Sequence, residues 1–170
     1  MIHLVAVGPD VPLERLDRLA AALAKTLGMS CRVRDAWLDP APAYDPSRGQ
    51  FHSTAILQSM VPAANGSRLL GVADVDLFVP ILTYVFGEAQ LGGQCALVSM
   101  HRLHEAFYGL PPDDDILHQR LAKEALHELG HTWGLKHCSD WRCAMASTHA
   151  VERLDLKELA FCRSCRTAIG

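Results

Sequence analysis

The sequence predicts one mixed α/β domain spanning residues 1–170: a twisted sheet of four or five strands, a long helix packed across it, and a further helix near the C-terminus. Three observations predict it. Short apolar runs bounded by glycine and proline alternate with segments whose apolar residues recur at helical spacing. A segment from Asp113 to Trp133 carries leucine and alanine down one side and titratable groups down another. A chain of 170 residues, 49% hydrophobic and 21% charged, is long enough to bury a sizeable core and has ordinary globular composition.

Each element has its own signal. Ile2 to Val7, closed by Gly8-Pro9, reads as a central strand. From Pro12 the period changes: Leu13, Leu16, Leu19, Ala20, Leu23, Ala24 and Leu27 mark a helix, with proline at its start and Gly28 just past its end. Cys31 to Leu38 reads as a second strand, and Cys31, like Cys95, as a small core residue. Asp39 to Gly49 holds three prolines and is expected to be a surface loop. A short helix is expected over Phe51 to Val61, then strands over Leu69 to Val75, Val79 to Phe86 and Cys95 to Met100. Asp113-Asp114-Asp115 supplies an N-cap and an acidic first turn for the long helix. Leu117, Leu121, Ala125 and Leu129, widened by Ala122 and Leu126, form its apolar side; Arg120, Glu124, His127 and His131 fall on another. A last helix is expected over Val151 to Phe161, leading directly to Cys162 and Cys165.

Chemistry concentrates at the end of the long helix. In His127-Glu128-Leu129-Gly130-His131 the two histidines stand four residues apart, so on a helix they share one face about 6 Å apart along the axis. That suits two ligands of one tetrahedral zinc with Glu128 beside it as general base. Gly134 can take the left-handed conformation that ends a helix, letting the chain return with His137 as third ligand. Three protein nitrogens leave a fourth position for water, as a catalytic site requires. The bland alternative is a helix end with three surface histidines. Met145 shortly downstream, and Cys138, Cys143, Cys162 and Cys165, weigh against it. Four cysteines have the number and softness of a closed zinc site; their other reading is two disulfides.

Composition narrows the setting. A net charge of -3 and a pI near 6.3 offer no footprint for nucleic acid. No apolar run approaches the ~20 residues of a membrane span. The start of the chain lacks the basic residues and the length of a signal peptide, so a reducing, cytoplasmic setting is expected, and it favours thiols and metal ligands over disulfides. His3, His52, His101, His104, His118 and His149 lack ligand spacing and are expected to be surface or satisfied polar residues.

From His127 to Cys165 the chain resembles the archaemetzincins (archaelysins). That family's pattern runs H-E-x-x-H-x-x-G-x-x-H-C, four residues, C-x-M, about seventeen residues, then C-x-x-C. Here sixteen residues separate Met145 from Cys162. Asp45 to Phe51 and Asp74 to Ser99 also resemble the family. Arg48 and Gln50 therefore have two readings, a functional role or the anchoring of their own turn.

The resemblance implies a metzincin (zincin-like) fold and a zinc metallopeptidase with two zinc ions. His127, His131 and His137 would hold the catalytic one over a turn carrying Met145, and the four cysteines the structural one. Peptide bonds would be hydrolysed by a zinc-activated water with Glu128 as base, on a peptide or protein substrate lying extended along an edge strand, placed by resemblance within Val79 to Phe86. The alternative is a non-catalytic zinc-binding module that presents a peptide-interaction surface. Glu128 favours the enzyme, because a binding module needs no base there.

Overall fold

A computed structural model describes residues 1–170. Its main sheet has five strands, β1 (Ile2–Val7), β2 (Cys31–Leu38), β5 (Arg68–Ala73), β7 (Gly87–Ala89) and β8 (Cys95–Ser99), in the order β2-β1-β5-β8-β7. The first four in that order run parallel, and β7 pairs antiparallel with β8 as an edge. Strands covered on both faces read as continuous apolar runs, which is why β1, β5 and β8 are conspicuous in the sequence. A small second sheet joins β3 (Tyr44–Asp45), β4 (Gln50–His52) and β6 (Leu77–Phe78).

Alternation along β1 assigns the helices to the two faces. Ile2, Leu4 and Ala6 pack with α1 (Leu13–Leu27) and α3 (Asp114–Thr132), whereas Val5 and Val7 pack with α2 (Ser53–Ala64). The Asp113 side chain caps α3 by accepting from the N–H groups of Asp115 and Ile116. From Arg120 to Gly130 every residue of α3 is buried. The sheet covers one side and the C-terminal segment the other, so Arg120 and Lys123 face protein: Arg120 pairs with Glu105 and Asp155, and Lys123 reaches the Leu154 and Asp155 carbonyls. No helix is long and apolar enough to cross a membrane.

Three expectations need correction. The helix expected over Phe51 to Val61 starts at Ser53 and ends at Ala64, because Gln50–His52 pairs as β4. Val79 to Phe86 is not a strand. Pro80 has no N–H to offer a ladder, the chain turns there with Leu82 N–H donating to Val79 O, and only Val85 bridges back, to Leu77. The carbonyls of Leu82 and Thr83 are taken by side chains instead: Arg48 Nη2 donates to Leu82 O at 2.8 Å and Gln50 Nε2 to Thr83 O at 2.9 Å. The antiparallel edge strand is Gly87–Ala89. Finally, the helix expected over Val151 to Phe161 stops at Leu156 (α4, Val151–Leu156), and a separate α5 (Arg163–Ala168) follows. Between them the backbone pairs across the fold, Glu158 N–H with Arg142 O and Ala144 N–H with Ala160 O, while Lys157 turns inward.

Candidate metal centres and active-site cleft

Helix α3 delivers the first two histidines and Gly134 the third. After Thr132 the chain reverses through Gly134 at φ +85, with Gly134 N–H bonding His131 O and Leu135 N–H bonding Gly130 O. The reversal brings His137 over the helix end. The three rings stand with centroids 4.7, 5.2 and 5.1 Å apart, and their ligand nitrogens lie within 4.8 Å of one another.

Backbone carbonyls set the ring orientations. His127 Nδ1 lies 2.8 Å from Ala144 O and His131 Nδ1 2.7 Å from Leu135 O, so both Nδ1 atoms serve as donors. Each Nε2 is thereby left with a free lone pair, and the two stand 3.1 Å apart. Outer partners of this kind commonly orient metal-binding imidazoles. Burial, helped by the nearby Lys157 charge, pushes His127 down to about 3, so it is neutral and able to donate its lone pair. Burial, and after it the nearby His131 ring, lowers His137 too. The donor set fits a zinc ion with one open position.

Met145 lies directly below. Its carbonyl accepts from Cys138 N–H at 2.9 Å and its N–H points to Cys143 Sγ at 3.4 Å, so one tight turn links methionine and cysteines. The four sulfurs lie within 4.8 Å of one another, with Cys138 and Cys162 Sγ atoms 3.8 Å apart, and all six cysteines are free thiols. A disulfide would need about 2.05 Å. Zinc–sulfur bonds of about 2.3 Å put tetrahedral sulfurs roughly 3.8 Å apart, so this donor set fits zinc as well. Burial raises the Cys143 and Cys165 thiols, whereas the Cys165 backbone N–H lowers Cys162.

Glu128 faces the cleft beside the histidines. Burial raises its carboxyl well above the ordinary range, and the Glu124 and Glu88 charges add to that. Gly87 of β7 makes room for it, since a Cβ there would come 2.9 Å from Glu128 Oε1. Leu82 to Gly87 wall a cavity of about 430 Å³ on one side and Ser147, Thr148 and His149 on the other. Tyr84 Oη donates to the His149 carbonyl and ties these walls together.

The structure thus brings together His127, His131 and His137, and separately Cys138, Cys143, Cys162 and Cys165, with Glu128 and Met145 in contact with the first group's surroundings. Sequence reasoning missed four participants. Glu124 carried a usable signal, one helical turn before His127 on the same side. Glu88, held by Ser53 and Thr54 hydroxyls at the start of α2, carried none. Neither did Lys157, buried beside Glu124 and the Ala144 carbonyl, nor His149, which is exposed as expected but also lines the cavity.

Comparison with known proteins agrees with this geometry. The family model for peptidase family M54 matches residues 53–170. The archaemetzincin of Methanocaldococcus jannaschii is 42% identical over 97% of this chain and 92% of its own. The chain belongs to peptidase family M54, the archaemetzincins. Among solved structures, a zinc-dependent peptidase from Methanocorpusculum labreanum superposes with a TM-score of 0.91 at 30% identity, covering 100% of both chains. The archaemetzincin of Methanopyrus kandleri gives 0.82 at 34% identity, covering 99% of this chain and 92% of its own. The five-stranded mixed sheet and long helix are those of archaemetzincins, and membership makes this chain a zinc metallopeptidase, not a binding module.

Proposed function

We propose that this M54 chain hydrolyses peptide bonds with Glu128 as general base, that His127, His131 and His137 hold a catalytic zinc, and that Cys138, Cys143, Cys162 and Cys165 hold a structural one. The observation that carries the reading is the convergence of three imidazoles on one point with the Glu128 carboxylate lining the same cleft. A zinc ion held there would lower the pKa of water and polarise the scissile carbonyl.

The chain's own groups do the rest. Glu128 takes a proton from the attacking water and returns it to the departing amine. Its raised affinity for protons suits it to both steps, because a base and acid in one group works best with a pKa near the working pH. A peptide lies extended along the free edge of β7, where main-chain groups are open to pairing. The thiolate centre would pin the turn that carries Met145 and the loop that carries His137. Residues 1–170 act as one catalytic unit in this reading. The reduced cysteines fit a cytoplasmic setting, and the acidic balance fits a peptide partner better than nucleic acid or a membrane surface.

The test is cleavage of a peptide library by zinc-loaded protein, with Glu128→Ala as control. Products from the wild type and none from the variant, at equal zinc content, support the assignment. Undiminished turnover in the variant would remove Glu128 from the chemistry.

A further inference from the structure

The cavity beside the histidines contains a carboxylate that general-base hydrolysis does not use. Glu124 lines it, with a side chain only 5% exposed. A carboxylate taken out of water needs hydrogen bonds or a well-placed cation. The protein supplies less than that. Thr148 Oγ1 donates to Glu124 Oε1 at 3.2 Å. Lys157 Nζ stands 3.9 Å from the same oxygen, beyond hydrogen-bond range, and donates to the Ala144 carbonyl at 3.1 Å instead. Both contacts fall on Oε1, so the carboxylate meets the cavity with an oxygen that no protein donor holds.

We propose that this cavity receives the substrate side chain next to the scissile bond, and that Glu124 makes it select lysine or arginine there. The inference rests on the peptidase reading and names the substrate class of that same cleft. Three features support it. The cavity's about 430 Å³ is ample for one long side chain. The Tyr84–His149 bond ties its walls together. Glu124 and Thr148 put a carboxylate and a hydroxyl where the stem's charged end would arrive. Overall field is not the selector. With a divalent ion at the histidines, the charges of Glu88, Glu124, Glu128, Lys157 and the ion come close to balance. What remains is an acceptor without a donor, and a site built to bond a polar group discriminates strongly against an analogue lacking it.

The experiment uses zinc-loaded protein and neutral peptides identical except at one position, which holds lysine, norleucine (lacking the ammonium) or glutamate. Mass spectrometry maps the bond cut, and kcat/KM is compared within each variant. The expected result is a lysine-over-norleucine ratio of at least about tenfold in the wild type, falling to near unity in Glu124→Gln. If Glu124→Gln does not fold, Glu124→Asp serves. It keeps the charge one methylene further back and should retain a smaller preference in the same direction. Binding gives a second readout. In a Glu128→Ala background the lysine peptide should bind about tenfold tighter than the norleucine peptide, and the gap should close when Glu124→Gln is added. Equal handling of lysine and norleucine by the wild type, or a preference that survives Glu124→Gln, overturns the selection while leaving hydrolysis intact. Preferential binding without any cleavage sinks the hydrolytic reading and leaves the selection standing. Neither cleavage nor preferential binding rejects both.

Discussion

Gly130 and Met145 meet face to face: a Cβ on Gly130 would collide with the Met145 sulfur and come 3.2 Å from its methyl carbon. The residue between His127 and His131 is therefore constrained by the turn beneath it, although a helix alone would prefer alanine at that position.

Gly130→Ala puts two effects in opposition. Helix propensity favours alanine by about 1 kcal/mol, and overpacking a core of native density costs about 1–3 kcal/mol. Met145 is fully buried and has nowhere to retreat, so the second effect should win. Thermal denaturation should show a lower midpoint, with metal affinity at the histidines falling as the turn is pushed away. A variant more stable than wild type would mean the turn yields freely.

The two proposed metal centres should differ in hold. Four thiolates form a closed site and three imidazoles an open one. Dialysis against a moderate chelator should therefore remove one zinc first and leave the circular dichroism unchanged. Cys162→Ser or Cys165→Ser should lower the melting point sharply, because structural zinc contributes on the order of 10 kcal/mol in small modules. Simultaneous loss of both metals, or cysteine variants that melt like wild type with full zinc, would contradict the assignment.

Acid should destabilise the metal-free protein through His127. Its folded pKa is depressed to about 3 from 6.5, so the folded state binds fewer protons in that interval. The contribution is present above pH 6.5 and lost as pH falls towards about 3, on the order of a few kcal/mol. Glu124 and Glu128, both raised by burial, act with the opposite sign, fully below 4.5 and less as pH rises through their folded values. The difference between wild type and His127→Gln isolates the histidine. Denaturant midpoints should fall more steeply from pH 7 to pH 4 in the wild type, and parallel curves would reject the account.

Arg48→Ala should loosen the cleft rim more than the core. Arg48 holds the Leu82 carbonyl, lies 3.4 Å from Thr83 O, and stacks over Phe78 at 3.9 Å. Losing it should cost about 1–3 kcal/mol and speed amide exchange between Ile81 and Phe86, with little change in α3. Unaltered exchange there would show that Gln50 alone holds the rim.

The chain alone determined the main-sheet strands β1, β2, β5 and β8 and helices α1 and α3, and it named the residues of the three-histidine and four-cysteine clusters. The strands, the helices and the histidine spacing are local, since an apolar run, a period of 3.6, a cap or a short spacing lies within a few turns of chain. The cysteines show as two separate pairs that only the fold brings together. What tertiary structure decided is where backbone groups find partners far away. Val79 to Phe86 has a strand's composition, yet Pro80 breaks its ladder and Arg48 and Gln50, more than thirty residues earlier, take its carbonyls. Val151 to Phe161 has a helix's composition, yet pairing with Arg142 and Ala144 ends the helix at Leu156 and turns Lys157 inward. The cavity is decided the same way. Glu124, Thr148, Tyr84 and His149 come from separate segments, and only packing α3 between the sheet and the C-terminal turns brings a nearly buried carboxylate and an open cleft to the same place.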